Sequence, residues 1–326
     1  MNSHKLLVSI VTPFFNEGDG VTLFRHSICQ IIDNYPDYRF EIVCVDDGSR
    51  DDTLTGLRAI AQMDPRFRVI ELSRNFGKEA ALTAGIDAAL GDAVIPMDAD
   101  LQDPPELIGQ MIAEWRQGAD VVLARRSDRS VDSFLKRKTA EWFYRLHNRV
   151  SSISIPENVG DFRLMNRATV DALKQLPEQQ RFMKGLFAWV GFRTRVIDYT
   201  RQERVAGESK FSGWKLWNFA LDGITSFSTA PLRVWTYLGL AIASSTLVYA
   251  AYIVGRTLIS GVDVPGYASL LVAILFLGSL QLISIGVLGE YIGRIYIESK
   301  HRPKYIVRRV YQSDPESSPL TEPPGH

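Results

Sequence analysis

The 326-residue chain predicts an α/β fold: a mostly parallel sheet with helices on both faces, joined to a C-terminal two-helix transmembrane hairpin. Three observations point there. Short apolar runs alternate with helical stretches of about 10–15 residues, the pattern of strands linked by crossover helices. Acidic and amide side chains gather directly after those runs, where open parallel sheets carry their ligands. Past residue 233, two long segments carry no charge at all.

Leu6–Phe15 reads as the first strand, followed by Phe40–Val45, Arg68–Leu72, Ala93–Met97 and Val121–Ala124. Asp51-Asp52 opens a helix over Thr53–Met63, and Pro104-Pro105-Glu106 opens another over Leu107–Gln117, because proline and acidic residues suit a helix's first turn. Parallel neighbours then require right-handed crossovers. Residues 130 to 206 read as an insertion and an extension of the sheet. Ser133–Val150 and Phe211–Phe227 combine aromatic and basic residues at helical spacing, as expected of helices lying in the headgroup region. The expected organisation is a globular domain over 1–206, an interfacial region over 207–232 and two spans within 233–293, at about 234–255 and 266–289. A basic segment and a disordered tail make up 294–326.

Val234 to Gly255 is uncharged over 22 residues and Val264 to Gly289 over 26, each above the roughly 20 needed to cross a bilayer as a helix. Arg233 precedes the first, and Arg294, Lys300, Arg302 and Lys304 follow the second. The positive-inside bias therefore places both ends of the hairpin, and the globular domain, in the cytoplasm of a multi-pass inner-membrane protein. Gly286, Gly289 and Gly293 offer a small-residue face for packing the hairpin or joining subunits. Lys+Arg and Asp+Glu both number 37, so nothing indicates a nucleic-acid partner. The two cysteines, Cys29 and Cys44, form no CxxC, which fits a reducing compartment. Met1-Asn2-Ser3-His4-Lys5 does not read as a signal peptide.

The chemistry concentrates at three strand ends: Asn16 and Glu17 after the first, Asp46-Asp47-Gly48-Ser49 after the second, Asp98-Ala99-Asp100 after the fourth. Strand alternation would turn Asp98 and Asp100 the same way, and two such carboxylates can hold a divalent cation that in turn holds a diphosphate. Glu17 and Asp46 suit a base and a ribose. GxGxxG and GxxxxGK[ST] are both missing, so neither a dehydrogenase-type dinucleotide site nor a P-loop is expected.

Four segments together carry a resemblance: Val11-Thr12-Pro13-Phe14-Phe15-Asn16-Glu17, Val45 through Thr53, Asn75-Phe76-Gly77-Lys78, and Asp98 through Pro105. They look like the family-2 inverting glycosyltransferases of Rossmann-like GT-A fold. Gly160-Asp161-Phe162-Arg163-Leu164, Arg204 through Lys210 and Leu288 through Arg294 match the polyprenyl-phosphate subgroup, which includes dolichol-phosphate mannose synthases and bacterial undecaprenyl-phosphate glucosyltransferases. The resemblance implies a nucleotide-sugar donor met by Pro13, Asn16, Glu17, Asp46, Lys78 and Asp98, with Arg204 and Lys210 over the donor phosphates. It implies Mg²⁺ or Mn²⁺ on Asp98 and Asp100, catalytic roles for Asp100 and Asp161, and a polyprenyl phosphate acceptor in the bilayer. Arg125 and Arg137 are candidates for the acceptor phosphate. Asp161 is either a base or a positioning group, since a phosphate monoester with a second pKa near 6 is mostly dianionic at neutral pH. Glucose from UDP-glucose is the expected sugar. Mannose from GDP-mannose, a modified sugar such as aminoarabinose, and a non-catalytic carrier or nucleotide-sugar-binding subunit stand as alternatives.

Overall fold

The structure, a computed structural model, describes residues 5–126, 159–179, 181, 183–199 and 266–313, together with scattered helical positions between 235 and 259. Eight strands form one sheet. They are β1 (Leu7–Phe14), β2 (Arg39–Asp46), β3 (Phe67–Leu72), β4 (Ala93–Pro96), β5 (Val121–Arg126), β6 (Val159–Asn166), β7 (Thr194–Tyr199) and β8 (Val307–Gln312), in the spatial order β7-β5-β6-β4-β1-β2-β3-β8. β1 runs parallel to both β2 and β4, and β2 parallel to β3. β6 is antiparallel to β4 and β5, β7 is parallel to β5, and β8 closes the other edge antiparallel to β3. The mostly parallel sheet is as expected, and its carboxyl edge gathers the ends of β1 to β5 with the start of β6.

Helices cover both faces. α1 (Val21–Ile32), α2 (Thr53–Met63) and α4 (Leu107–Arg116) share one core with Val8, Ile10, Ile42, Cys44, Val69, Ile95, Val122 and Phe162. Their buried positions recur at helical spacing, as in Val21, Phe24, Ile28 and Ile32 of α1. Phe14 meets Phe24 edge-to-face at 5.2 Å, pinning α1 beside the end of β1. Alternate strand residues face the other way, where α3 (Lys78–Ala88) packs. α3 is apolar nearly all round, with every residue from Ala81 to Ile86 buried. Gly85 lets it approach Val11 of β1 and Val45 of β2 so closely that a methyl group would overlap Val11. α5 (Arg167–Lys174) follows β6, capped by the Asn166 side chain on the Thr169 amide, and α6 (Met183–Trp189) precedes β7.

A separate compact unit contains residues 213–302 and, within them, α7 (Tyr267–Ser299). α7 is 33 residues long and runs ten past the expected end of the second span. Its Phe276–Ser299 stretch is long and apolar enough to cross a membrane. The described positions between 235 and 259 are helical. The interfacial stretches 133–150 and 211–227, and the tail after Ser313, lie outside the described residues. The basic run at 294–313 holds one departure from expectation: its last part is not merely a charged segment, because Val307–Gln312 returns to the sheet as β8.

Candidate active site

The loops after β1, β2, β3 and β4 enclose a cleft of about 380 Å³, lined among others by Pro13, Glu17, Asp47, Lys78, Asp98 and Asp100. Pro13 can occupy a central strand because β4 ends at Pro96, opposite Val11, so that Pro13 lies beyond its partner on that side. Asn16 is in the left-handed region (φ 54°) and clasps two loops together. Its amide donates to Ser49 Oγ at 3.0 Å, and its Oδ1 accepts from the Arg50 amide at 2.9 Å. The Asn16 side chain therefore fixes the rim. The amide of Glu17 donates to Thr53 Oγ1 at 2.9 Å, tying the same loop to the start of α2.

The two aspartates after β2 have different tasks. Asp46, the last residue of β2, is 1% exposed and accepts from the Ser49 amide at 3.2 Å, while its Oδ1 accepts no hydrogen bond. Burial pushes its carboxyl up, and the neighbouring Glu71 adds to that. Asp47 grips the β3–α3 loop, with Phe76 N donating to Oδ1 at 2.7 Å and Gly77 N to Oδ2 at 2.9 Å. Burial raises its carboxyl as well, against the pull of those two amides. Gly48, which follows them, has φ +67°, and a Cβ there would stand 2.6 Å from the backbone of Arg74 and Asn75. This Asp-Asp-Gly triplet thus brings the second and third loops together. Asp47→Ala leaves two amides unpaired, and we expect it to lower the unfolding free energy by about 1–3 kcal/mol, read from the denaturant midpoint.

Lys78, the first residue of α3, organises the centre. Its ammonium lies 2.7 Å from Asp98 Oδ1 and 2.9 Å from Oδ2, and 3.1 Å from Asp161 Oδ2. Desolvation lowers the lysine's pKa, but the two carboxylates more than reverse this and hold it well above the ordinary lysine range. Asp98 is pushed up by burial despite Lys78. Asp161, also desolvated, is nevertheless drawn below the usual carboxylate range by Lys78, Lys184 and Arg163. The Arg163 guanidinium is buried and donates to Gly160 O at 2.7 Å and Asp161 O at 3.3 Å, which fixes the backbone that presents Asp161. Next to Lys78, Glu79 is raised to about 7, by burial first and then by Asp161.

Asp98 and Asp100 both line the cleft, but not by strand alternation. β4 stops at Pro96, which has no amide to donate, and the pair lies in the following loop. That loop turns at Leu101 (φ 53°), and the Gln102 amide donates to Asp100 Oδ1 at 3.2 Å. No trio of His, Cys, Asp or Glu placed to hold a metal occurs among the described residues. An oxygen pair is nonetheless the donor set that fits a cation whose remaining ligands are diphosphate oxygens. Asp100 faces solvent while Asp98 meets Lys78.

Arg125, at the end of β5, forms a bidentate pair with Asp198 of β7 (2.6 and 3.0 Å). To grip a phosphate it must give up that partner. Arg137, Arg204 and Lys210 lie outside the described residues. Sequence reasoning missed Asp47, Glu79 and Arg163. Asp47 and Arg163 stand in recognisable motifs, Asp-Asp-Gly-Ser and Gly-Asp-Phe-Arg-Leu, that suggested no role for them, whereas Glu79 has no local signal and gains its place from packing near Asp161.

A cleft on the carboxyl edge of such a sheet, with acidic oxygens around one lysine, is the arrangement expected of a glycosyltransferase of the GT-A type. The chain belongs to glycosyl transferase family 2, whose model matches residues 9–173. The GtrB C-terminal hairpin matches residues 230–295. The chain is 59% identical over 305 residues to the bactoprenol glucosyl transferase of Shigella phage SfV, which covers 94% of this chain and 99% of that protein. It is 56% identical over 303 residues to the prophage bactoprenol glucosyl transferase homolog of Escherichia coli K12, covering 93% and 99%. Among solved structures, it resembles the mannosyltransferase PcManGT of Pyrobaculum calidifontis in complex with GDP-Man and Mn²⁺. The identity there is 18% and the TM-score 0.47, covering 89% of this chain and 88% of that one.

Proposed function

We propose that the protein transfers glucose from UDP-glucose to undecaprenyl phosphate at the cytoplasmic face of the inner membrane, with inversion and with the help of Mg²⁺ or Mn²⁺. The observation that carries this reading is the convergence of Asp98, Asp100 and Lys78 on one cleft, with Asp161 paired to Lys78 behind them, in a family-2 chain whose relatives include bactoprenol glucosyl transferases matched over nearly their whole length.

In this mechanism the acceptor phosphate attacks the anomeric carbon in line, and the bond to the nucleotide diphosphate breaks as the new glycosidic bond forms. Pro13 and Glu17 flank the nucleoside at the cleft, and Asp46 accepts one of its N–H or O–H groups. Asp98 and Asp100 would hold the divalent cation, which supplies charge neutralisation for the departing diphosphate. Lys78 lies beside Asp98, where a fixed cation strengthens its hold on developing negative charge. Arg204 and Lys210 complete the grip on the donor phosphates. Asp161, kept ionised by Lys78, Lys184 and Arg163, is a weak base, and the acceptor needs little deprotonation. It therefore acts as a positioning group that holds Lys78 in place. Arg137, and Arg125 once released from Asp198, bind the acceptor phosphate.

A polyprenyl chain stays in the bilayer, so the enzyme must work at its surface. The hairpin of about 234–255 and 266–289, with both termini in the cytoplasm, serves that purpose, and its glycines offer a face for self-association.

Membranes containing the protein, given undecaprenyl phosphate and labelled UDP-glucose, are expected to form an acid-labile labelled lipid that chelator abolishes. GDP-mannose and UDP-aminoarabinose are expected to give none. Transfer from one of these instead reassigns the sugar, and no transfer from any donor sinks the enzymatic reading.

A further inference from the structure

β8 brings residues of the post-helix segment against Glu71, the strand neighbour of Asp46. In register, Asp46 of β2 lies beside Glu71 of β3, and Glu71 beside Arg309 of β8. Parallel partners turn their side chains to the same face, so Asp46 and Glu71 are two adjacent buried carboxyls, 1% and 6% exposed. Two anions so placed repel unless one is neutralised. Glu71 has both oxygens filled from β8: Arg308 Nη1 donates to Oε1 at 3.0 Å, and Tyr311 Oη to Oε2 at 2.7 Å. The Tyr311 ring is held in turn under Arg58 of α2, at 4.7 Å. Asp46 is left with one oxygen on the Ser49 amide and one buried oxygen that accepts nothing. A buried acceptor without a donor is costly unless a ligand supplies the donor.

We propose that Arg308 and Tyr311 are positioning residues for nucleotide binding: by occupying Glu71 they leave the open oxygen of Asp46 to a donor group of the nucleoside. The inference rests on the assignment of Asp46 to the nucleoside. Arg308 is 70% exposed, so solvent screens its pair with Glu71, and the Tyr311 hydroxyl shares the task. Without both, the charge on Glu71 turns on Asp46, and the nucleoside meets either a repelled carboxylate or one that has taken a proton and lost its acceptor.

The test is titration of the full-length protein in detergent with UDP alone, alongside steady-state kinetics with UDP-glucose. Arg308→Gln with Tyr311→Phe should weaken UDP binding between about fivefold and a hundredfold. KM for UDP-glucose should rise in parallel while kcat stays nearly constant. Adding Glu71→Gln to that pair removes the unbalanced charge and should restore most of the affinity, which a strand acting only as scaffold would not allow. Unchanged UDP affinity in the double variant, or a loss that Glu71→Gln does not repair, overturns the proposal. Asp46→Asn separates this from the underlying assignment. If Asp46→Asn weakens UDP binding while the β8 variants do not, only the β8 role fails. If Asp46→Asn binds UDP normally, the nucleoside assignment itself falls, and this proposal with it.

Discussion

Asp98→Ala is expected to lower sugar transfer to lipid by about two to three orders of magnitude, the scale on which loss of a preorganised charge in an active site is felt. Asp98 has two partners to lose. It is one of the two cleft carboxylates suited to a divalent cation, and it is the principal anchor of Lys78, whose ammonium touches both of its oxygens. Its side chain is 35% exposed and lies in a loop beyond β4, so the fold should tolerate the change. Thermal unfolding should move little while turnover collapses. Asp98→Asn is informative beside it, since the amide keeps the shape but gives up the charge. If Asp98→Asn retains near-normal transfer, charge at this position is not what the reaction uses.

Lys78→Met should be nearly as severe in activity and more visible in stability. Lys78 is the shared counter-ion of Asp98 and Asp161, and methionine leaves these carboxylates facing each other without a cation between them. Asp161 is the more exposed to this loss, because its low pKa depends on Lys78 together with Lys184 and Arg163. The sign of the pH dependence follows. A carboxyl whose folded pKa lies below its unfolded value contributes stability that is present above the unfolded pKa and lost as pH falls through the folded one. In the native protein Asp161 therefore favours the folded state at neutral pH. In Lys78→Met that contribution shrinks or reverses, and the variant should lose more stability at pH 7 than at pH 4 when melting is followed across that range. Lys78→Met with Asp161→Asn should regain stability at pH 7 without regaining transfer. Equal destabilisation of Lys78→Met at both pH values would show that the lysine is not balancing this pair.

Much of the molecule was legible before any coordinates. The strands β1 to β5 are predominantly apolar runs because they are largely buried on both faces, and such runs need no partner to be recognised. β8 escaped for the opposite reason. It is an exposed edge strand whose Val307-Arg308-Arg309-Val310 order breaks the alternation, and only its pairing with β3 makes it a strand. In the site, the Asp98/Asp100 pair was visible as a motif, although the route to it was wrong: the pair shares the cleft through a loop, not through strand alternation. Asn16 stands in a recognisable motif as well, yet its side chain is spent on the Arg50 amide. The bridge from Lys78 to Asp161 joins α3 to β6 and has no local signature, since it exists only once β4 and β6 pair.

The return of the chain to β3 after α7 also sets a schedule for biosynthesis. The ribosome delivers β1 to β7 first, then more than a hundred residues that include both apolar segments, and only then the final strand. Until it arrives, the outer edge of β3 stays bare, with its backbone groups open to any passing strand and with Glu71 uncompensated. Synthesis of the apolar segments and closure of the sheet are thus steps of one maturation process. A soluble fragment that ends before the hairpin would remain permanently at the unfinished stage, and would be prone to self-association through that edge.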